Sequence, residues 1–362
     1  MKVAIVHDTL LELGGAERVL FSLVKLFPQA DIYLSLANKK LVQELKNKTQ
    51  GQITTSFLSK LPWKKSYASW LKPLILIYWR MLNLNQYQLV ISSSHSFNSK
   101  TVRTHSQAKH ISYIYTPPRF LYGQFNKTGL ITRSKISFLF KPLIQLMKKI
   151  DYRLSQEPDR LIAISKVVKN RIKSYYDRDS VVIYPPLRPI KPYPKKTPQY
   201  YVCWSRLYQQ KGVDLAIKTC NQLKRKLLVI GAGPEEHNLK KIAGPTIKFA
   251  GFLSDQEISM RLQKAKALIY PSIEEDFGLC PIESMAHGVP VIAHNSGATP
   301  EYVTADNGIM FDHYSIKALK NAILKFERQT WSEQKCKKFA SQFNEQRFHR
   351  QILEQIKITD NQ

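Results

Sequence analysis

Short apolar runs alternate with segments of helical period along most of the chain. In the first half, strands are predicted at residues 2–6, 31–35, 89–92, 111–115, 160–164 and 181–183. A helix opens at Gly14-Gly15 and carries Val19, Leu20, Leu23 and Leu26 on one face. This alternation predicts a parallel sheet covered by helices. Tyr184 to Pro198 is too rich in proline to continue a helix or a central strand, and it reads as a linker. A second alternation follows, with strands at 200–204, 226–230, 247–250, 267–270 and 289–293. Helices are expected between them at 212–223, 234–243, 254–264 and 279–287, and the tail from about Ser315 is helical and charged.

A chain of 362 residues suits two domains of ordinary size, and 43% hydrophobic content is that of a globular protein. The implied division is 1–190, 191–340 and a helical tail at 341–362. The start, Lys2 to Val6, reads as a buried strand, not as a signal peptide. The most apolar stretch, Trp70 to Leu82, is interrupted by Lys72, Pro73 and Arg80, so no transmembrane helix is expected. Cys203, Cys220, Cys280 and Cys336 lie far apart, which indicates neither a metal site nor a disulfide scaffold. A reducing cytoplasm is the expected location.

Charge changes this picture. The net charge is +28, and between Leu45 and Ile150 there are seventeen Lys and Arg but no Asp or Glu. A solvated surface of mixed charge is therefore not expected there. The stretches Trp63–Arg80 and Arg133–Lys149 interleave basic residues with Trp, Tyr, Phe and Leu. Amphipathic basic helices of this kind suit the headgroup boundary of an anionic bilayer, here the inner face of the cytoplasmic membrane. A generally basic proteome, with the aromatics in the core, is the plain alternative. No nucleic-acid-binding motif accompanies the charge.

Glu275 and Glu283 flank a loop-to-helix junction, one after the strand at 267–270 and one inside the helix expected from Leu279. Gly278 between them lets backbone approach a ligand, and the N–H groups of Phe277, Gly278 and Leu279 open a helix end that attracts phosphate. Two carboxylates beside an anion-binding helix end outline a diphosphate flanked by sugars. Arg206 and Lys211 follow the first strand of the second half, where ligands of open α/β sheets sit. Two fixed cations there can stabilise charge on a leaving phosphate without a metal, and no Asp-x-Asp or His/Cys metal spacing occurs. Gly14 and Gly15 form a loop after the first strand, and His95 ends a predicted strand. A strand-to-helix turn and a structural histidine are the plain readings of these.

The segment Pro271 to Ala293 resembles the donor site of retaining GT-B glycosyltransferases of glycosyltransferase family 4, whose signature is two Glu separated by seven residues. Ser296-Gly-Ala-Thr-Pro-Glu301, Ser205-Arg-Leu-Tyr-Gln-Gln-Lys-Gly212 and the N-terminal Met1–Asp8 with Gly14–Val19 extend the resemblance to about residue 312. It implies two Rossmann-like α/β domains facing across a cleft, with the last helix crossing back to the first. It further implies that Glu275 contacts the transferred sugar, Glu283 the ribose, and Arg206 with Lys211 the diphosphate. Gly231 and Gly233 would line the nucleotide pocket, and Phe252-Leu253 would pack the base. Relatives commonly carry His where this chain has Tyr115, which leaves His95 as the titratable candidate and Arg119 as a contact for an acceptor phosphate. The expected reaction moves a hexose, by preference mannose from GDP-mannose, onto a polyprenyl-diphosphate-linked saccharide, with no cofactor beyond the donor. A UDP-hexose donor and a catalytically silent membrane partner of the same fold remain the alternatives.

Overall fold

The computed structural model describes residues 1–60, 71–95, 98–122, 141–188, 190, 193–194 and 196–360. Trp63–Trp70 and Arg133–Phe140 of the two basic stretches, and part of the Pro-rich linker, lie outside these. The chain forms two compact units, one of residues 1–186 with 345–362 and one of residues 187–344.

The first unit is a seven-stranded parallel sheet. Its strands are β1 (Val3–Leu10), β2 (Asp31–Ala37), β3 (Ile53–Thr55), β4 (Leu89–Ser94), β5 (Lys109–Ile114), β6 (Arg160–Ala163) and β7 (Val181–Val182). The order β3-β2-β1-β4-β5-β6-β7 reverses direction between β1 and β4, which pair with His7 opposite Ser93. Helix α1 (Gly15–Leu26) buries Val19, Leu20 and Leu23 of the expected face together with Val24, whereas Leu26 is half-buried. The unit's other helices are α2 (Lys39–Lys46), α3 (Lys72–Met81), α4 (Lys141–Leu154) and α5 (Lys166–Tyr176). The C-terminal helix Glu345–Asp360 packs in this unit, where His349 Nε2 lies 3.0 Å from Ser22 Oγ and Phe348 packs edge-on against Tyr113.

The second unit is a six-stranded parallel sheet of β8 (Tyr200–Trp204), β9 (Leu227–Ile230), β10 (Ile247–Gly251), β11 (Ala265–Tyr270), β12 (Val291–His294) and β13 (Gly308–Phe311). Its order β10-β9-β8-β11-β12-β13 reverses between β8 and β11. Cys203, Val229, Ala267, Ile269, Ile292 and Ile217 form the core between sheet and helices. The sequence pattern missed β3 and β13. The first is three residues with a half-buried, polar face, and the second follows a turn that interrupts the alternation.

The acid-free segment is less one-sided in space than along the chain. Lys100 pairs at 2.5 Å with Asp151, and both side chains are at most 2% exposed. Tyr122 donates to the same carboxylate at 3.0 Å, and Arg80 pairs with Glu157. Acids from beyond the segment thus neutralise part of its charge. Lys100→Met leaves Asp151 buried without its cation and is expected to lower unfolding free energy by about 3–5 kcal/mol. Denaturant titration checks this, and adding Asp151→Leu should return part of the loss.

Candidate active site

In a parallel sheet that grows outward from its first strand, the loops leaving the strands on either side of the reversal diverge and open a crevice. In the second unit those strands are β8 and β11. The loop after β8 carries Arg206 and a short turn, Gln209–Lys211; the loop after β11 carries Ser272 and Glu275. Ile273 N–H donates to Gln210 C=O at 3.1 Å, which joins the two loops. Lys211 Nζ then reaches Glu275 Oε2 at 2.5 Å, with the two side chains 14% and 16% exposed. The same oxygen accepts from Tyr270 OH at 2.8 Å and Ser272 Oγ at 2.7 Å. Burial opposes ionisation, but Lys211 and these donors outweigh it and bring the Glu275 carboxyl down to about 2. Glu275 is therefore an anion with a fixed orientation.

The backbone around Glu275 is equally constrained. Glu274 has φ +55°, and its N–H donates to Ser296 Oγ at 3.3 Å. Ala298 N–H donates to Glu275 C=O at 2.9 Å. The Ser296–Ala298 segment thus clamps the carboxylate's backbone from behind. His294 Nδ1, 2.8 Å from Ser296 Oγ, supports that clamp, and neither residue's part was legible in the sequence.

Helix α6 (Val213–Leu223), α7 (Glu236–Lys241) and α8 (Asp255–Leu262) lead to α9 (Leu279–Ala286), whose N-terminus lies beside Glu275. Gly278 caps it at φ +85°, where a Cβ would meet Tyr270 OH at 2.7 Å and Glu275 Cγ at 3.1 Å. Gly278 gives this helix end no side-chain cap hydrogen bond among the described residues, and Leu279 is half-buried. Phe277 turns inward and packs against Tyr302 and Phe343, so only its backbone faces the loop side. Glu283, one turn on, is 1% exposed, and its Oε1 lies 3.1 Å from Nε of Arg188.

The remaining candidates of this unit divide. Arg206 is exposed, with its guanidinium carbon 5.7 Å from the Tyr208 ring centroid. Phe252 stands 81% exposed after β10, and Leu253 beside it is half-buried. Gly231 and Gly233 are placed by packing against the neighbouring loop. A Cβ on Gly231, at φ +131°, would lie 1.9 Å from Ser205 C=O, and one on Gly233 would lie 2.4 Å from Leu207 C=O. Both glycines hold the 231–234 loop against the backbone that carries Arg206.

In the first unit the sheet reverses between β1 and β4, and His95 follows β4 beside Asp8 of β1. The buried Asp8 carboxylate accepts from His95 N–H at 2.7 Å and Ser99 N–H at 2.6 Å, with His95 Nδ1 3.6 Å away. Burial works against the Asp8 charge, but His95 and the Ser99 bonds keep its pKa below the ordinary carboxyl value. His7, fully buried, is pushed down to about 3 and lies 2.9 Å from Ser93 Oγ. Tyr115, directly after β5, is buried. Its hydroxyl meets Ser93 Oγ at 2.9 Å and donates to Ala16 C=O at 3.0 Å, and burial raises its pKa well above the usual range. Gly14 N–H donates to Glu17 Oε2 at 2.9 Å, Gly15 starts α1, and Arg119 is half-buried. Lys72, at the start of helix α3 (Lys72–Met81), was not foreseen as a site residue. Burial lowers it to about 8 against the pull of Asp8. Among the described residues no group of three or more His, Cys, Asp or Glu is placed to hold a metal ion.

Residues 188–343 match the family model of glycosyl transferases group 1. Over 137 residues the chain is 31% identical to a GDP-mannose-dependent monoacylated alpha-(1-6)-phosphatidylinositol monomannoside mannosyltransferase of Corynebacterium glutamicum, covering 34% of this chain and 36% of that protein. It is 27% identical over 158 residues to the putative colanic acid biosynthesis glycosyltransferase WcaL of Escherichia coli, covering 39% and 38%. The chain thus spans little more than a third of the length of these relatives. Among solved structures, Anabaena HepE in complex with UDP and glucose superposes with a TM-score of 0.71 at 18% identity, over 99% of both chains. The lipopolysaccharide outer core galactosyltransferase WaaB gives 0.70 at 15% identity, over 99% of this chain and 100% of that one. The two parallel α/β sheets are those of the GT-B fold.

Replacing Lys211 removes the cation that holds Glu275 ionised. A carboxyl depressed from 4.5 to about 2 contributes stability that is complete above 4.5 and is lost as pH falls toward 2. Lys211→Met should therefore unfold at lower temperature than the parent at neutral pH, with the gap closing on acidification through that window. Carbon-13 titration of Glu275 in the variant should show an upward-shifted midpoint.

Proposed function

We propose that this protein is a retaining glycosyltransferase that transfers a hexose, by preference mannose from GDP-mannose, to a polyprenyl-diphosphate-linked saccharide. The observation that carries this reading is the Lys211–Glu275 pair held at the strand-order reversal beside the uncapped N-terminus of α9. A diphosphate fits a helix end with Lys211 and Arg206 nearby, and a fixed carboxylate one loop away suits the hydroxyls of the transferred sugar. Glu283 serves the ribose, and the exposed Phe252 ring offers the base a stacking face. The bond from the anomeric carbon to the diphosphate oxygen breaks, with its electron pair leaving on phosphate. The acceptor oxygen bonds to the same face of that carbon, and its proton passes to the leaving phosphate oxygen. Arg206 and Lys211 stabilise the charge that develops, so no metal is required in this reading. His95, whose backbone N–H donates to Asp8, is the candidate contact on the acceptor-side unit.

The polyprenyl acceptor calls for a membrane surface. Leu74, Ile77 and Met81 of α3 are exposed at spacings of three and four, as are Leu143, Leu146 and Ile150 of helix α4 (Lys141–Leu154). Lys149 and Arg153 stand exposed on α4, which supports peripheral attachment at the cytoplasmic face of an anionic bilayer. No helix among the described residues is long and apolar enough to cross a membrane. A UDP-hexose donor is the second reading, favoured by the UDP and glucose present in the HepE structure.

Release of GDP or UDP from a panel of nucleotide sugars, in detergent with membrane lipid extract, tests the reaction and reads base and sugar together. Release from one donor is expected, and Glu275→Ala should abolish it. Arg206→Ala should lower turnover about 100-fold, the scale of one preorganised electrostatic donor; near-normal turnover would remove Arg206 from the diphosphate. Ile77→Ser with Met81→Ser should weaken co-sedimentation with phosphatidylglycerol vesicles about tenfold while leaving neutral vesicles weakly bound in both proteins.

A further inference from the structure

Glu283 lies in the second turn of α9, 1% exposed, and a buried carboxylate is costly unless a cation holds it. The cation is Arg188, whose Nε lies 3.1 Å from Glu283 Oε1 and whose side chain is 15% exposed. Arg188 is pinned at both ends. Its guanidinium also pairs with Asp255 in the first turn of α8. On the chain side, the neighbouring Leu187 N–H donates to Phe343 C=O at 2.7 Å, and the Phe343 ring packs on Phe277 just before α9. The backbone of Arg188 and the start of α9 are therefore fixed to each other through Phe343. Behind Glu283, His287 Nδ1 lies 2.8 Å from the Glu283 carbonyl and its Nε2 3.0 Å from Ser259 Oγ. Burial lowers His287 below its ordinary value, so it supplies no second cation at neutral pH.

We propose that Arg188 is the positioning residue for the ribose-binding carboxylate. It holds Glu283 as an oriented anion that can accept from both hydroxyls of the nucleotide ribose. Its action on the nucleotide runs through Glu283. A guanidinium suits the task because its planar fork spans two carboxylates from different helices, which an ammonium on a flexible stem does less well. The inference rests on the reading of Glu283 as the ribose contact, and the test separates the two.

The test is calorimetric titration of the full chain with GDP, with UDP and with the 2′,3′-dideoxy counterpart of whichever binds. The parent should prefer the ribonucleotide by about tenfold or more, the scale of bonds to a charged group. Arg188→Ala should lose about tenfold for the ribonucleotide and little for the dideoxy form, so that the preference collapses. Arg188→Lys should recover part of it. In Glu283→Gln, adding Arg188→Ala should cost little more. Should Arg188→Ala fail to fold, Arg188→Gln keeps the stem and gives the same comparison. Equal loss for both nucleotides, or no loss, overturns the proposal and leaves the ribose reading standing. A parent that binds neither nucleotide, or does not distinguish ribose from dideoxyribose, overturns the ribose reading and the inference with it.

Discussion

The reversal of strand order in each parallel sheet is the constraint from which the rest follows. Crossovers on either side of the reversal lie on opposite faces of the sheet, so the loops leaving the two central strands cannot cover each other. In the second unit this leaves Lys211 after β8 and Glu275 after β11 free to meet. In the first unit the same geometry brings Asp8 of β1 to His95 after β4. In each sheet a carboxylate thus meets a basic side chain beside the reversal. Each carboxylate is also held by backbone N–H groups or hydroxyls.

Around the Lys211–Glu275 pair, the surrounding motifs act mainly as framework. The glycines at 231 and 233 press one loop onto the backbone behind Arg206, and Ser296 with Ala298 holds the backbone of Glu274 and Glu275. Phe277, which sits inside the acidic motif, is a core residue. A motif that reads as a string of ligand contacts is therefore largely a way of presenting one carboxylate, one helix end and one buried Glu at fixed separations. That division matters for mutagenesis, because many changes in the motif would act through the position of Glu275 and not through a lost contact.

The charge distribution shows where a linear reading misleads. Seventeen basic residues without an acid suggested a uniformly cationic surface, yet Lys100 is buried with Asp151 and Arg80 is paired with Glu157. What remains is an exposed apolar stripe on each of α3 and α4, with the exposed Lys149 and Arg153 on the second. Those two helices carry an interfacial character that the net charge by itself only suggested.

The sequence by itself determined the two parallel sheets, most strand positions and the identity of the acidic and basic side chains near the crevice. These are local properties. Apolar runs of strand length, helical periodicity and a glycine before a helix act over a few residues, so they are legible in order along the chain. The tertiary structure alone decided which of those side chains meet. Arg188 and Glu283 are far apart in sequence, as are Asp8 and His95, and no local pattern joins them. Tyr115 was legible as a departure, but only the packing of β1, β4 and α1 around it fixes its hydroxyl on Ser93 and Ala16. Strands β3 and β13 escaped notice for the same reason, since their pairing partners, not their own composition, make them strands.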